Sequence, residues 1–538
     1  MLFRRHPREW GPIEWAGVLG LAVVAGVVAV LLTLQARGPG RCGEDLAELG
    51  GDCVGVTEHA FDADPRLKGL IEAIADENAR VREDAESPAN HGARIPYVRV
   101  ALMMPFSADE SSAMTTEMIR RGLAGALAAQ QEANSASGPH YQLLLAPDGR
   151  NLDRWEPVVE RLGELAADKT APLVGVTGIP SSTPETRETI AALSKAGIPT
   201  VGPVITAADM NAERFFKTSP NNEQFVGALK QYLTEKPSRS RTRGFLVWDN
   251  RSEDVYSQNL REVFEKEFGR AYGFKGHNSN FTGSSGTDKG IPQRFTDAAQ
   301  KICATRADTV FFAGRDQDLP AFVKRLAQEG DCERSARLRL LKVGIGLEPT
   351  LTTGETTRWL KEAGATIVAA SSVDPAWTAG KNDPPPALGR FMDRYRALDK
   401  EHGFDKDFLA DGYALMYHDG FTLLADAVDR TYSELNEDRP GGEAADGKGG
   451  DGEGGDVPLR LTKNDVYNTL IIPSITATGC SNCLRGAAGA YGFEGPGVND
   501  QWAVCKPVPV VEFPAGRQDR DPPLYRTFRG AGKGTCPA

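Results

Sequence analysis

The chain has 538 residues, 40% hydrophobic and 25% charged, with a formal net charge of −11. That length predicts about two to four folding units rather than one small core. The acidic balance leaves no basic excess to displace counterions, which argues against nucleic acid as a partner.

In chain order, the first feature is Trp15 to Leu34, twenty residues without a charge. Twenty helical residues span about 30 Å, the thickness of a bilayer core. Arg4, Arg5 and Arg8 precede the run; Arg37 and Arg41 follow it. The pattern predicts a transmembrane helix over 15–34, with residues 1–14 as a cytoplasmic tail. A cleaved signal peptide is the rival reading. No A-x-A site follows Leu34, and Cys42 lies too far on for a lipoprotein signal. Both observations favour an uncleaved signal anchor.

All eight cysteines lie beyond that run: Cys42, Cys53, Cys303, Cys332, Cys480, Cys483, Cys505 and Cys536. An even count on one side of a membrane predicts disulfides. Spacing suggests Cys42 with Cys53, Cys303 with Cys332, and two pairs among the last four. The CSNC run at Cys480–Cys483 lacks a second CxxC or a histidine cluster, which favours structural bridging over a redox dithiol or half a zinc site.

Residues 35–95 read as a membrane-proximal stalk or collar, helical from Pro65 to Asp84, with Leu67, Leu70, Ile71 and Ile74 at helical spacing. ESPANHGARIP is a linker. A regular pattern then begins. YVRVALMMPF is a strand. Thr115–Asn134 is a helix carrying Met118, Ile119, Leu123 and Leu127. YQLLLAPDGR is a strand ending in a turn, and Asp153–Lys169 is amphipathic. The apolar run Leu173 to Val176 leads through a small-residue turn into a helix over Pro184–Ala196, and a second apolar run ends at Pro203. This β-α alternation predicts a parallel sheet covered on both faces.

A second series follows RFFKTSPNNEQF. RGFLVWDN is a strand, Tyr256–Phe268 a helix, FTGSSGTDKG a loop, Ile291–Ala304 a helix, DTVFFAGRD a strand and Leu319–Glu329 a helix. RLLKVGIG and GATIVAASS are two further strands. Pro386–His402 and Phe408–Leu435 are helical. Asn436–Asp456 is a Gly/Asp/Glu-rich insert expected to be disordered. YGFEGPGVNDQWAVCKPVPVVEF is hairpin-like, before a Cys-bearing tail.

In parallel α/β sheets, ligands bind beyond the carboxyl ends of the strands. The turn Thr177–Thr183 sits at such an end. Ser182 fits a capping S-x-x-E, or Thr183 caps with Pro184 at the first helical position. Unpaired N–H groups there attract an anion such as a carboxylate. The bland reading is a well-capped helix without a ligand. Against it stand two neighbouring strand ends, Pro105–Ser107 and Val204–Thr206, which face the same rim. Catalytic patterns are missing: there is no G-x-S-x-G and no HExxH, and the seven histidines do not cluster.

The runs VRVALMMPFS, LVGVTGIPSSTPETRETIAALSKAGIPTVGPVITAADM, RFFKTSPNNEQFVGAL, GFLVWDNRSEDVYSQNLREVF, FFAGR and KPVPVVEF, in this order, resemble the type I periplasmic binding proteins. Within them the chain looks most like the leucine/isoleucine/valine-binding branch, substrate-binding components of ABC importers, over roughly residues 96 to 515. The resemblance implies an α/β fold of two parallel-sheet lobes with three hinge crossings. Lobe one would begin at 96–216, lobe two would cover 217–370, and 371–475 would return to lobe one with the insert 436–456. Residues 476–538 would form the hinge return and the Cys-rich tail, and RFFKTSP the first crossing.

The resemblance also implies site roles. A ligand carboxylate would meet Ser181 or Ser182 in the turn and Thr206. An ammonium would meet the Val204 carbonyl and a lobe-two acid at Asp316 or Asp318, with Arg315 an unexpected neighbour, and Tyr256 matches the family's lobe-two tyrosine. Ile179-Pro180 stand where the family has small residues. The implied function is capture of a small polar solute, an amino acid or related compound, by lobe closure. The chain would be an extracytoplasmic, membrane-anchored partner of an ABC permease, with no enzyme activity, cofactor or metal. The alternatives are a ligand-sensing or scaffold role beside a membrane partner and, remotely, a hydrolase.

Overall fold

The computed structural model describes residues 42–86, 95–109, 111–236, 243–284, 294–329, 337–405, 407–437, 461–476, 479–514 and 524–527. The predicted span Trp15–Leu34, the insert beyond Glu437, Cys332 and Cys536 lie outside them. Among the described residues, no helix is long and apolar enough to cross a membrane.

Two sheets organise the chain. The first has five parallel strands in the order β4-β3-β5-β6-β7. They are β3 (Tyr97–Met103), β4 (His140–Ala146), β5 (Leu173–Thr177), β6 (Thr200–Gly202) and β7 (Phe215–Lys217), preceded by a short hairpin of β1 (Leu46–Leu49) and β2 (Asp52–Gly55). Side chains on a strand alternate between faces, and here both faces are apolar. Val98, Val100 and Leu102 of β3 join one core, and Ala101 and Met103 the other. The first core is covered by the helices Thr116–Asn134, Tyr413–Glu437 and Leu388–His402, the second by Trp155–Leu165 and Pro184–Lys195. Gly125 lets the first two helices touch, because a Cβ there would overlap the Ala414 carbonyl.

The second sheet has the order β18-β17-β12-β11-β10-β8-β9. Its parallel strands are β8 (Gly244–Asp249), β9 (Asn278–Phe281), β10 (Thr309–Ala313), β11 (Leu338–Gly344) and β12 (Ala365–Ser371). After the short ribbons β13 (Ile475–Thr476), β14 (Gly479–Cys480), β15 (Leu484–Gly486) and β16 (Gly489–Tyr491), the chain adds β17 (Pro507–Phe513) and β18 (Leu524–Arg526) antiparallel at the flank. The tail is hairpin-like only near its start, where Gly492 and Val504 exchange backbone hydrogen bonds of 3.1 and 2.9 Å; β16 pairs with β15, and β17 lies against β12. Period-2 burial again makes two cores, with Val310 and Phe312 on one side and Phe311 and Ala313 on the other. The polar strand β9, with every other residue exposed, and the helix Asn222–Glu235 escaped the sequence reading. The helix predicted over Ile291–Ala304 spans Thr296–Thr305.

RFFKTSP is only partly a crossing. Its first half is β7, the edge of sheet one, and the chain leaves for lobe two after Lys217. It returns after β12 and crosses again between Gln501 and Pro507, where Lys217 and Ala503 share a backbone hydrogen bond of 3.0 Å. A buried ionic knot holds this last crossing. Asp419, on the helix Tyr413–Glu437, accepts from the N–H groups of Ala487 (2.6 Å) and Ala488 (3.0 Å) and from Lys506 Nζ (3.4 Å). Asp419 and Lys506 are both fully buried. His418 lies between Asp419 (3.3 Å) and Glu132 (3.2 Å).

Residues 42–86, expected as a stalk or collar, pack onto lobe one. The Cys42–Cys53 disulfide closes the β1–β2 hairpin, which leads into bridges with the edge of sheet one at Val54–Asp148 and Thr57–Leu145. Asn78, on the helix Lys68–Glu86, donates to the Leu143 carbonyl (2.9 Å) and accepts from its N–H (2.8 Å). Cys480 and Cys483 are bridged to each other, and Cys303 and Cys505 each belong to a disulfide whose other half lies outside the described residues.

Candidate functional site

Strands of both sheets end at a common cleft. On the lobe-one side β5 ends at Thr177, and Gly178 turns the chain with φ +99°. A side chain there would fall 2.6 Å from Leu102 Cδ1 and 3.0 Å from the Met103 carbonyl oxygen, so the turn requires glycine. Ile179 anchors the turn in the core, and Ser181, Ser182 and Thr183 follow. Thr183 caps the helix, accepting from the N–H of Thr186 at 3.2 Å, with Pro184 in the first turn. The cap is therefore Thr183. Ser182 pairs across the rim instead, where its Oγ accepts from Ala207 N at 3.4 Å. Beyond β6 stand Val204 and Thr206. The Thr206 carbonyl accepts from Asn222 N at 2.7 Å, which ties this rim to the first crossing. The Thr206 hydroxyl has no hydrogen-bond partner among the described residues.

The lobe-two wall comes from the ends of β8, β10 and β11. Tyr256, in the first turn of the helix Val255–Tyr272, donates to the Val343 carbonyl at 2.8 Å. Arg315 and Asp316 follow β10. Gly346 and Glu348 follow β11, and Asp411 and Tyr413 complete the floor. Gly346 passes so close to the lobe-one chain that a Cβ would lie 2.5 Å from the Asp411 backbone.

The cleft, partly open to solvent, has a free volume of about 80 Å³. That is below the usual range for drug-sized ligand sites, so the space suits a small solute, not a peptide. All six of Ser181, Ser182, Val204, Thr206, Tyr256 and Asp316 line it. Asp318, the alternative to Asp316, points elsewhere: it accepts from Arg294 (2.6 Å) and Ser284 (2.8 Å). Its side chain does not cap the helix that follows.

The charges fall into pairs with one remainder. Arg315 grips Asp254 through Nε and Nη2, both at 2.9 Å, and reaches across the cleft from Nη1 to Ser181 Oγ at 3.1 Å. Lys342 Nζ lies 2.6 Å from Asp316, and Arg121 Nη1 lies 2.6 Å from Asp411. Burial pushes the carboxyls of Asp316 and Asp411 up, while Lys342 and Arg121 pull back. Glu348 has no cation within ion-pair distance among the described residues, only the Thr350 hydroxyl. Burial, with Asp316 and Asp411 nearby, raises it to about 7. Sequence reasoning missed Glu348, Asp411 and Tyr413. The only local signals were an acid just past a strand end in GIGLEP and an Asp opening a long helix.

No family model matches the chain, and no curated protein matches it. Solved structures do. A solute-binding protein of an ABC transporter from Rhodopseudomonas palustris BisB5, in complex with 3,4-dihydroxy benzoic acid, is 13% identical, with a TM-score of 0.52 over 80% of this chain and 96% of that one. A second R. palustris solute-binding protein, in complex with benzoate, is 14% identical, with a TM-score of 0.51 over 82% and 99%. The branched-chain amino acid transporter substrate-binding protein of Streptococcus pneumoniae, in complex with isoleucine, is 15% identical, with a TM-score of 0.50 over 77% and 95%. At such identities the likeness shows the fold: α/β with parallel-sheet lobes, of the type I periplasmic-binding-protein kind.

Proposed function

We propose that the chain captures a small polar solute, an amino acid or a related compound, between its two lobes. In this reading it is the non-enzymatic substrate-binding part of an ABC-type uptake system. The uncharged run Trp15–Leu34 anchors it in the cell membrane, N-terminus inside, with the lobes on the extracytoplasmic side. The observation that carries the reading is the cleft itself, where hydroxyls of Ser181, Ser182 and Thr206 on one lobe face Tyr256 and Asp316 on the other. A carboxylate fits the turn and the open Thr206 hydroxyl, because a hydroxyl donates readily to an anion. An ammonium fits the Val204 carbonyl and the acids of lobe two. Closure of two lobes on a ligand is a hinge motion.

The test is thermal stabilisation of the purified full chain in detergent by isoleucine, leucine, benzoate and 3,4-dihydroxybenzoate. A ligand at a hundred times its Kd adds about 2.7 kcal/mol. Thr206→Val should weaken binding by roughly tenfold to a hundredfold with the melting temperature of the free protein unchanged. Unchanged affinity in both Thr206→Val and Ser182→Ala would remove these residues from the site. No stabilisation by any solute in the panel would count against capture.

A further inference from the structure

Resting on the solute-capture reading, we infer that Arg315 is a specificity-determining residue, and that the chain selects solutes bearing a carboxylate, gripped between Arg315 of lobe two and Ser181 of lobe one. A guanidinium carries one N–H on Nε and a pair on each Nη. Asp254 takes Nε and one N–H of Nη2, and Ser181 takes one N–H of Nη1. The other N–H of Nη1 and that of Nη2 have no partner among the described residues. Each can donate a charge-assisted hydrogen bond to a carboxylate oxygen.

Asp254 holds the guanidinium in place. It is 4% exposed, and it accepts from Ser257 N (3.4 Å) and Ser257 Oγ (2.9 Å) at the start of the helix Val255–Tyr272. Arg315 Cζ also stands 5.8 Å from the centre of the Tyr256 ring. A side chain fixed on two sides loses little rotamer freedom on gripping a ligand. Ser181 is 6% exposed, and its hydroxyl can turn from accepting an Arg315 N–H to donating to a carboxylate. The acids lining the same cleft do not cancel this grip: Asp316 and Asp411 are each matched by a cation at 2.6 Å. Glu348 stands beyond β11, on a different strand end from Arg315.

Matched acid and amide probes test the inference on the purified full chain: isoleucine against isoleucinamide, and benzoate against benzamide, by calorimetric titration. The acids should bind at least about tenfold more tightly than their amides. Arg315→Met should weaken the acids by about tenfold to a hundredfold and leave the amides nearly unchanged. Arg315→Lys, which keeps the charge and loses the fork, should recover only part of the loss and guards against misfolding of the Met variant. Equal losses for acid and amide would mean that Arg315 only braces the lobes, and would overturn the inference. So would acid and amide binding alike, or unchanged acid affinity in Arg315→Met; in each case solute capture would stand. If no acid binds the unaltered chain, capture falls and this inference falls with it.

Discussion

Asp419→Asn should be the most damaging single exchange outside the cleft. The ammonium of Lys506 is fully buried, 4.6 Å from the centre of the Tyr491 ring, and burial lowers its pKa. Asp419 is the carboxylate that faces it. Removing one partner of a buried ion pair leaves an uncompensated charge, a loss of about 3–5 kcal/mol. The amide also turns its N–H₂ toward the backbone N–H of either Ala487 or Ala488, which adds to the loss. At about 2–4 °C per kcal/mol for domains of this size, the melting temperature should fall by roughly 6–20 °C. The double exchange Asp419→Asn with Lys506→Met should recover part of it, because two neutral groups no longer strand a charge.

The knot also predicts a pH slope. Burial alone would lower the His418 pKa, but Asp419 and Glu132 outweigh it and hold it above its ordinary value. The stabilisation this provides is complete below pH 6.5 and fades as pH rises through the folded value. Burial would raise Glu132, but His418 and Arg390 hold it near 2, so its share appears above pH 4.5 and is lost as pH falls toward 2. Denaturant unfolding from pH 5 to 9 checks the histidine's part, and unfolding from pH 5 down to 2 the glutamate's. A loss below about 1 kcal/mol in Asp419→Asn, typical of an exposed pair, would refute the reasoning, as would a double variant no better than the single.

Three further outcomes are expected. Burial lifts the Asp148 carboxyl to about 8 from an ordinary 3.8, so the folded chain holds a proton that the unfolded chain releases, and stability should fall as pH rises from about 4 to 8. Asp148→Asn should flatten that slope and raise the melting temperature at pH 8; an unchanged slope would contradict it. Deleting residues 438–456, whose composition cannot bury apolar surface, should move the melting temperature by no more than a few degrees, since closure entropy changes only slowly with the length of a connecting segment. Gly346→Ala should push lobe two away from the Asp411 backbone and open the cleft, seen as a larger radius of gyration by small-angle scattering; identical scattering profiles would show that the loop yields instead.

What the sequence revealed depended on how local each signal was. Strand periodicity and the α/β alternation are written in neighbouring residues, so both sheets and most helices were legible. The turn at Thr177–Thr183 and the Thr206 strand end are βα-loop chemistry, readable at the same scale. Thr183 and Ser182 could not be told apart as caps, because both fit the pattern and only the backbone at Pro184 decides. Asp411 enters the cleft paired with Arg121, 290 positions away, and no local pattern announces such a partner. Glu348 owes its environment to the burial of strands β10 and β11, which belongs to packing. β9 was hidden because the first three residues of NSNF are all polar, so no apolar alternation marks this edge strand.

Neither lobe is a continuous stretch of chain, and this governs how the molecule can be made. Sheet one and the helix Thr116–Asn134 are laid down early, but one apolar face stays only partly covered until the helix Tyr413–Glu437 emerges, after the parallel strands of lobe two have all been synthesised. Sheet two in turn waits for β17, more than a hundred residues beyond β12. At about 5–20 residues per second, translation leaves that face of sheet one incompletely covered for tens of seconds, long enough for a holding chaperone to find it. A gene fragment ending at residue 371 would encode sheet one without the helices Leu388–His402 and Tyr413–Glu437, and sheet two without β17 and β18, rather than two finished lobes. Either half could be isolated only by splicing separated segments through new linkers.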